Sequence, residues 1–239
     1  MKNAAGGRKS EIRGRRSGLS VLSALLVVLA FAPFQTAQAA KRDASKVITI
    51  VALGDSLTAG FGLSRKQAYP ALIAEKMRNA GYEFEVVNAG WSGDTTTGGL
   101  RRLPEILRTH KKIDIFILEL GINDAFRGVT LEQMRSNLQA IIDQVRARHP
   151  GVTVVIAGMQ LPLSSSDDYV SAFGAMFAAL AEKNRAALIP YLLEGVGGNP
   201  ELNQLDRVHP NAAGQRVLAD NVWKVLEPIV RKRATPIVN

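Results

Sequence analysis

The stretch "VITIVALGDSLTAG" (residues 47–60) decides the architecture. Its first seven residues are apolar or β-branched throughout. A run of that kind, closed by glycine and polar residues, reads as a strand buried on both faces, as in a parallel sheet. Four further runs share this character: "FEVVNAG" (84–90), "IDIFILEL" (113–120), "VTVVIAG" (152–158) and, less clearly, "AALIPYL" (186–192). Between and after them lie longer segments with helical spacing, at 67–80, 98–110, 130–148, 169–184 and 211–230. Thr130 and Gln133 have the spacing of a capping box for the third of these, and His149-Pro150-Gly151 stops it. Regular β–α alternation predicts an α/β fold of three layers, with a five-stranded parallel sheet between helices. After residue 46 there is no repeat, low-complexity tract or linker.

The first forty residues follow another pattern. Residues 1–18 carry Lys2, Arg8, Lys9, Arg13, Arg15 and Arg16 against the single acid Glu11. The apolar run Leu19–Ala32 follows, then small residues at Ala37 and Ala39. Basic, apolar and A-x-A in that order describe a secretory signal peptide over 1–39, leaving one domain over 40–239. The apolar run is shorter than the ~20 residues that a spanning helix needs, which ranks an anchor below a signal. Arg15-Arg16 hints weakly at twin-arginine export. The expected location is therefore periplasmic or secreted. Residues 1–39 hold +5 of the chain's net charge of +9, so the remainder carries +4. That is too little for a nucleic-acid footprint. The chain has no cysteine, which excludes disulfides, thiolate zinc sites and a cysteine nucleophile.

In a parallel sheet of this type ligands bind beyond the carboxyl ends of the strands. The polar residues capable of chemistry gather there: Gly54-Asp55-Ser56, "NAGWSGDT" (88–95), "GIND" (121–124), "MQLPLSSSDD" (159–168) and "LDRVHPN" (205–211). Of the three histidines, His110 reads as solvated surface and His149 as a helix end, where a cation favours the dipole. His209 follows Asp206 by three residues, so carboxylate and imidazole can lie side by side. The bland alternative is a helix entry capped by His209 and Asn211. Ser56, His209 and Asp206 supply a hydroxyl, a general base and an orienting acid from one sheet edge. Oxyanion donors are available in the Ser56 amide, the glycine-containing loop 90–93 and the Asn123 side chain. The G-x-S-x-G elbow is absent, and no histidine pair suggests a metal or other cofactor.

Taken together, Gly54-Asp55-Ser56-Leu57, "NAGWSGDTT", "GIND" and "DRVHP" resemble, in order, the four blocks of the GDSL, or SGNH, hydrolases. "GLRRLPEILRTH" and "ELGINDAFRG" extend the likeness to the exported bacterial subgroup of multifunctional acyl-CoA thioesterases, arylesterases and lysophospholipases. The resemblance implies a flavodoxin-like three-layer fold and a serine esterase acting on acyl esters and thioesters without a cofactor. It implies Ser56 as nucleophile, His209 as base, Asp206 as its partner, and Ser56, Gly93 and Asn123 as oxyanion donors. It also implies a small-molecule substrate; the charge balance argues against a nucleic-acid partner, and the missing cysteine and short apolar run argue against a stable membrane anchor after signal removal. Gly90-Trp91 and the loop "LPLSSSDDY" (161–169) depart from the subgroup, and both are expected to border an acyl pocket. Leu161, Leu163 and Phe173 are candidate lining. A carbohydrate acetylesterase and a non-catalytic binding module remain the alternatives.

Overall fold

The computed structural model describes residues 47–161 and 167–234. The segment expected to be a signal peptide, and Leu163, lie outside these residues. Five strands, β1 (Ile48–Gly54), β2 (Phe84–Gly90), β3 (Ile115–Glu119), β4 (Thr153–Ala157) and β5 (Ala187–Ile189), form one parallel sheet in the order β2-β1-β3-β4-β5. The helices are α1 (Ser56–Ala59), α2 (Tyr69–Asn79), α3 (Thr96–Thr109), α4 (Ile122–Phe126), α5 (Leu131–Arg148), α6 (Asp167–Lys183) and α7 (Ala212–Arg233). All five expected strands and all five long helices are present. Two short helices, α1 and α4, stand where the sequence reading had only polar loop residues.

The central strands explain why their sequences are almost wholly apolar. Every residue of β1 and β3 is buried, because each strand has a strand on either side and helices above and below. The edge strand β2 is only partly covered, and its sequence admits Glu85 and Asn88. In-register pairing brings Gly54, Gly90 and Glu119 side by side at the carboxyl end. Gly54 has no room for a side chain: an added Cβ would stand 2.0 Å from Thr58 Oγ1 and 2.4 Å from Glu119 Oε2.

Two local expectations need correction. The Thr130 hydroxyl does cap α5, accepting from the Gln133 amide at 3.2 Å. The Gln133 side chain does not return to Thr130; it donates to Asn137 Oδ1 at 2.9 Å, so the box is half formed. His149 ends α5 as expected, but its ring is buried and Nε2 has no partner among the described residues. Burial, and then the neighbouring Arg148, push its pKa down, so it does not serve the helix dipole as a cation. No helix among the described residues is long and apolar enough to cross a membrane.

Candidate active site

Ser56 is the first residue of α1, one step beyond the sheet. The turn is built locally. The Asp55 carboxylate caps α1 by accepting the Leu57 amide at 3.0 Å, and Gly60 closes the helix in the left-handed region at φ 76°. These caps hold a one-turn helix that would not persist alone. The Ser56 amide makes no hydrogen bond within the described chain.

His209 arrives from the far end of the sequence on the loop before α7. Asn203 and Pro210 form an isolated antiparallel bridge, and the Gln204 amide donates to the His209 carbonyl at 2.7 Å. The Gln204 side chain crosses to the Phe61 carbonyl at 2.7 Å, tying this loop to the turn after α1. The ring centroids of Phe61 and His209 are 4.5 Å apart. In this setting His209 Nε2 lies 3.0 Å from Ser56 Oγ, and Nδ1 lies 2.7 Å from Asp206 Oδ2. Asp206 Oδ1 accepts the amides of Val208 and His209, each at 3.0 Å. These two amides, His209 first, together with the imidazole hold its pKa down at about 2, although the residue is exposed. Asn211 caps α7 as the bland reading held, accepting from Ala213 and Gly214. Helix entry and hydroxyl–imidazole–carboxylate chain therefore coexist in one loop. Arg207 takes φ 59° inside it, a conformation that costs a non-glycine residue about 1 kcal/mol.

The second and third polar loops meet beside Ser56. Asn123, in α4, donates its side-chain amide to Asp55 Oδ2 at 3.1 Å and to the Asp94 carbonyl at 2.9 Å. Gly93 sits in the left-handed region at φ 78°, and its amide makes no hydrogen bond within the described chain. Asp124 anchors the two loops to each other, accepting from the Thr96 amide at 2.8 Å and the Thr96 hydroxyl at 2.6 Å.

Two residues that the sequence reading passed over shape this floor. Arg102, on α3, pairs with Asp94 at 2.6 Å and donates to the carbonyls of Ala89 and Gly54 at 2.5 and 2.9 Å. It thus staples the 91–95 loop to the ends of β1 and β2. Glu119, at the end of β3, is fully buried; its Oε2 accepts from Thr58 Oγ1 at 2.6 Å and from the Asp55 amide at 3.0 Å. Burial, then the Asp55 charge, push its pKa well up, and burial lifts Asp55 to about 6. Both shifts favour keeping a proton on this pair, and Glu119 Oε1 is buried without a hydrogen-bond partner among the described residues. A lone acid at the end of an otherwise apolar strand was the available signal for Glu119. Arg102 left none, because a helical arginine ordinarily faces solvent.

A cavity of about 610 Å³ opens beside Ser56 and His209. Ile122, Phe126, Leu161, Leu193 and Val208 give it an apolar lining, with Tyr191 and Arg207 among its polar residues. Leu161 lies where the sequence reading expected it. Phe173 does not: it is buried in the core against Phe177, with centroids 5.3 Å apart. Trp91, also expected at the pocket, is largely exposed outside this lining. Among the described residues no group of three or more His, Asp or Glu converges in the way a metal site requires.

A parallel sheet with a serine, an imidazole and a carboxylate in line at its carboxyl edge defines a serine hydrolase, here one acting on ester bonds. The chain belongs to the GDSL-like Lipase/Acylhydrolase family, whose profile matches residues 52–217. It is 40% identical over 182 residues to the esterase TesA of Pseudomonas aeruginosa, covering 76% of this chain and 89% of that protein. It is 36% identical to the thioesterase 1/protease 1/lysophospholipase L1 of Escherichia coli K12, over 76% of this chain and 85% of the relative. It is 32% identical to an arylesterase of Vibrio mimicus, over 84% and 98%. The crystal structure of TesA superposes with a TM-score of 0.72, covering 76% of this chain and 99% of that one. A family 3 carbohydrate esterase of Clostridium thermocellum shares the fold at 20% identity and a TM-score of 0.66.

Proposed function

We propose that the protein is an exported esterase that cleaves carboxylic esters and thioesters of acyl chains through an acyl-enzyme on Ser56. The observation that carries this reading is the continuous contact from Ser56 Oγ through His209 to Asp206, opening on an apolar cavity. Ser56 Oγ attacks the carbonyl carbon while His209 Nε2 takes its proton. Asp206, ionised at every working pH, holds the other ring nitrogen protonated and offsets the charge of the imidazolium. The tetrahedral oxyanion is met by the free amides of Ser56 and Gly93 and by Asn123 Nδ2. Both hydrogens of that nitrogen are already held, by Asp55 and the Asp94 carbonyl, so it is aimed before substrate arrives. It serves the oxyanion by sharing one of them. The leaving alcohol or thiol departs with the proton from His209, and water activated by the same ring releases the acid.

The apolar lining and the esterase, thioesterase and arylesterase relatives support acyl substrates over acetylated sugars. Export rests on the sequence of residues 1–39 alone. The test is a substrate series with the Asn123→Ala variant. Wild-type protein is expected to hydrolyse p-nitrophenyl acyl esters and acyl thioesters, and to be blocked stoichiometrically at Ser56 by a fluorophosphonate. Asn123→Ala is expected to lose about 100-fold or more in kcat, the usual weight of one oxyanion donor, with its fold intact by circular dichroism. Full activity in that variant would remove Asn123 from the hole. A wild-type protein that ignores the probe would remove the mechanism.

A further inference from the structure

Ser56 and His209 sit on two blocks of chain that meet only on folding. The first is the turn after β1, with α1, Phe61 and the start of α2. The second is the loop that carries His209, with the first turn of α7. Each block is braced within itself. In the first, Gly60 and Phe61 donate their amides to the Ser56 carbonyl, each at 3.0 Å. In the second, the Asn203 side chain donates to the carbonyls of Val196 and Asn199, and the Asn211 side chain to those of Glu201 and Asn203. Gly214 seats the start of α7 tightly on this loop: an added Cβ would stand 2.1 Å from the Leu202 carbonyl oxygen and 2.9 Å from Pro210 Cβ. A displacement of α7 is therefore passed on to His209.

Besides the contact of His209 with Ser56, the hydrogen bonds that join these blocks among the described residues come from two glutamines. Gln204 Nε2 donates to the Phe61 carbonyl at 2.7 Å and to the Pro210 carbonyl at 3.1 Å. It thus holds the turn after α1 and the residue after His209 with one amide. Gln215, in α7, is 1% exposed. Its Nε2 donates to the Leu57 carbonyl at 3.1 Å, and its Oε1 accepts the Tyr69 amide at 2.7 Å. Both partners are helix-end groups, which lack partners inside their own helices. Leu57 belongs to the one-turn α1, and Tyr69 opens α2, whose N-cap Ala68 has no side-chain acceptor. A buried amide used at both atoms fixes direction as well as distance. The hydroxyl and the imidazole, 153 residues apart, need that constraint. A displacement of about 1 Å can cost a reaction on the order of 100-fold.

We propose that Gln204 and Gln215 are positioning residues for the reaction, clamping the base-bearing loop to the nucleophile turn so that His209 Nε2 stays within reach of the Ser56 hydroxyl. Neither touches the reacting atoms, and neither lines the cavity. The role rests on the esterase reading, since it concerns how well Ser56 and His209 work together. Asp206 lies in the same block as His209, so the clamp does not govern that pair.

The test is hydrolysis of a p-nitrophenyl acyl ester by Gln204→Met and Gln215→Met, alongside the rate at which a fluorophosphonate labels Ser56. Methionine keeps the length of the side chain and removes the amide. Each variant is expected to lose about ten-fold or more in kcat with KM little changed, and to be labelled more slowly in parallel. The downfield proton resonance of the His209–Asp206 hydrogen bond is expected to persist in both, which a melted loop would not allow. Arg233→Met, which unties Gly151 and Thr153 at the start of β4, is expected to lower Tm and keep kcat. Gln215→Met leaves two buried backbone groups unpaired; if it does not fold, the half-buried Gln204 decides the matter. Unchanged kcat in Gln204→Met overturns the proposal. So does a raised KM with kcat kept, because the glutamines would then shape the pocket. Loss of the His209–Asp206 resonance, or an equal fall of kcat in Arg233→Met, overturns it as well, because the effect would then be one of folding alone. A wild-type protein that neither hydrolyses the ester nor takes the probe sinks the esterase mechanism, and this role falls with it. Wild-type activity with any of the other adverse results sinks this role alone.

Discussion

Glu119 places a carboxyl group under the catalytic floor, sealed from solvent, and the Asp55 carboxylate stands beside it. Two like charges at such a site cannot both persist, so the fold keeps a proton there. The consequence for stability has a definite sign. Both groups have folded-state pKa values above their ordinary ones, so their contribution is complete below the ordinary carboxylate range and is lost as pH rises through the folded values. For Asp55 that loss runs from the ordinary carboxylate value up to about 6. Glu119→Gln keeps an acceptor for Thr58 and the Asp55 amide but has no proton to lose. Its Tm relative to wild type is expected to climb as pH rises above the ordinary carboxylate range, as read by thermal unfolding in a buffer series. A constant difference across that series would mean that Glu119 does not carry the proton. Asp206 behaves oppositely: its pKa is depressed, so its contribution is present at neutral pH and fades only as pH falls towards 2.

At the scale of elements, the loop between β2 and α3 matters most, because Gly93 and the Asp94 carbonyl both lie in it. Arg102 is its anchor, half-buried against a buried Asp94. Arg102→Ala leaves that carboxylate without its cation and two strand-end carbonyls without a donor. A loss of about 3 kcal/mol in urea unfolding is expected, together with a fall in kcat larger than any change in KM. The strands that frame this loop were legible in advance: continuous apolar runs leave no other buried solution, and β1 through β4 appear within one or two residues of their expected bounds. The convergence of His209 and Asp206 on Ser56 was legible too, from their types and order along the chain. What stayed hidden has a common cause. α1 and α4 are too short to show any period, and their stability comes from the Asp55 cap, Gly60 and contacts made after folding. Phe173 was expected at the pocket and lies in the core, because an aromatic on an amphipathic helix gives no sign of which inward direction it takes. Gln133 matched a capping pattern, yet Asn137 competed for its amide one turn later.

Across the whole molecule, stability is graded from the centre of the sheet to its edges. β1 is bonded to β2 along its length and to β3 from Ile50 to Gly54, and is fully buried, whereas β5 has three residues and one neighbour. Amide protons of Val51, Ala52 and Leu53 are expected to exchange only through global unfolding, and those of β5 by local opening at lower free energy, as native-state hydrogen exchange would reveal. Equal protection in both strands would contradict that ordering. The same layout has a consequence in time. The hydroxyl of Ser56 and the imidazole that touches it are 153 positions apart, and the second is delivered by the loop that opens the final helix. A ribosome that has released two hundred residues has made the proposed nucleophile but not yet its proposed base. On the proposed mechanism, hydrolytic power therefore arrives only with the last segment synthesised, and a chain ended before His209 is expected to be chemically silent.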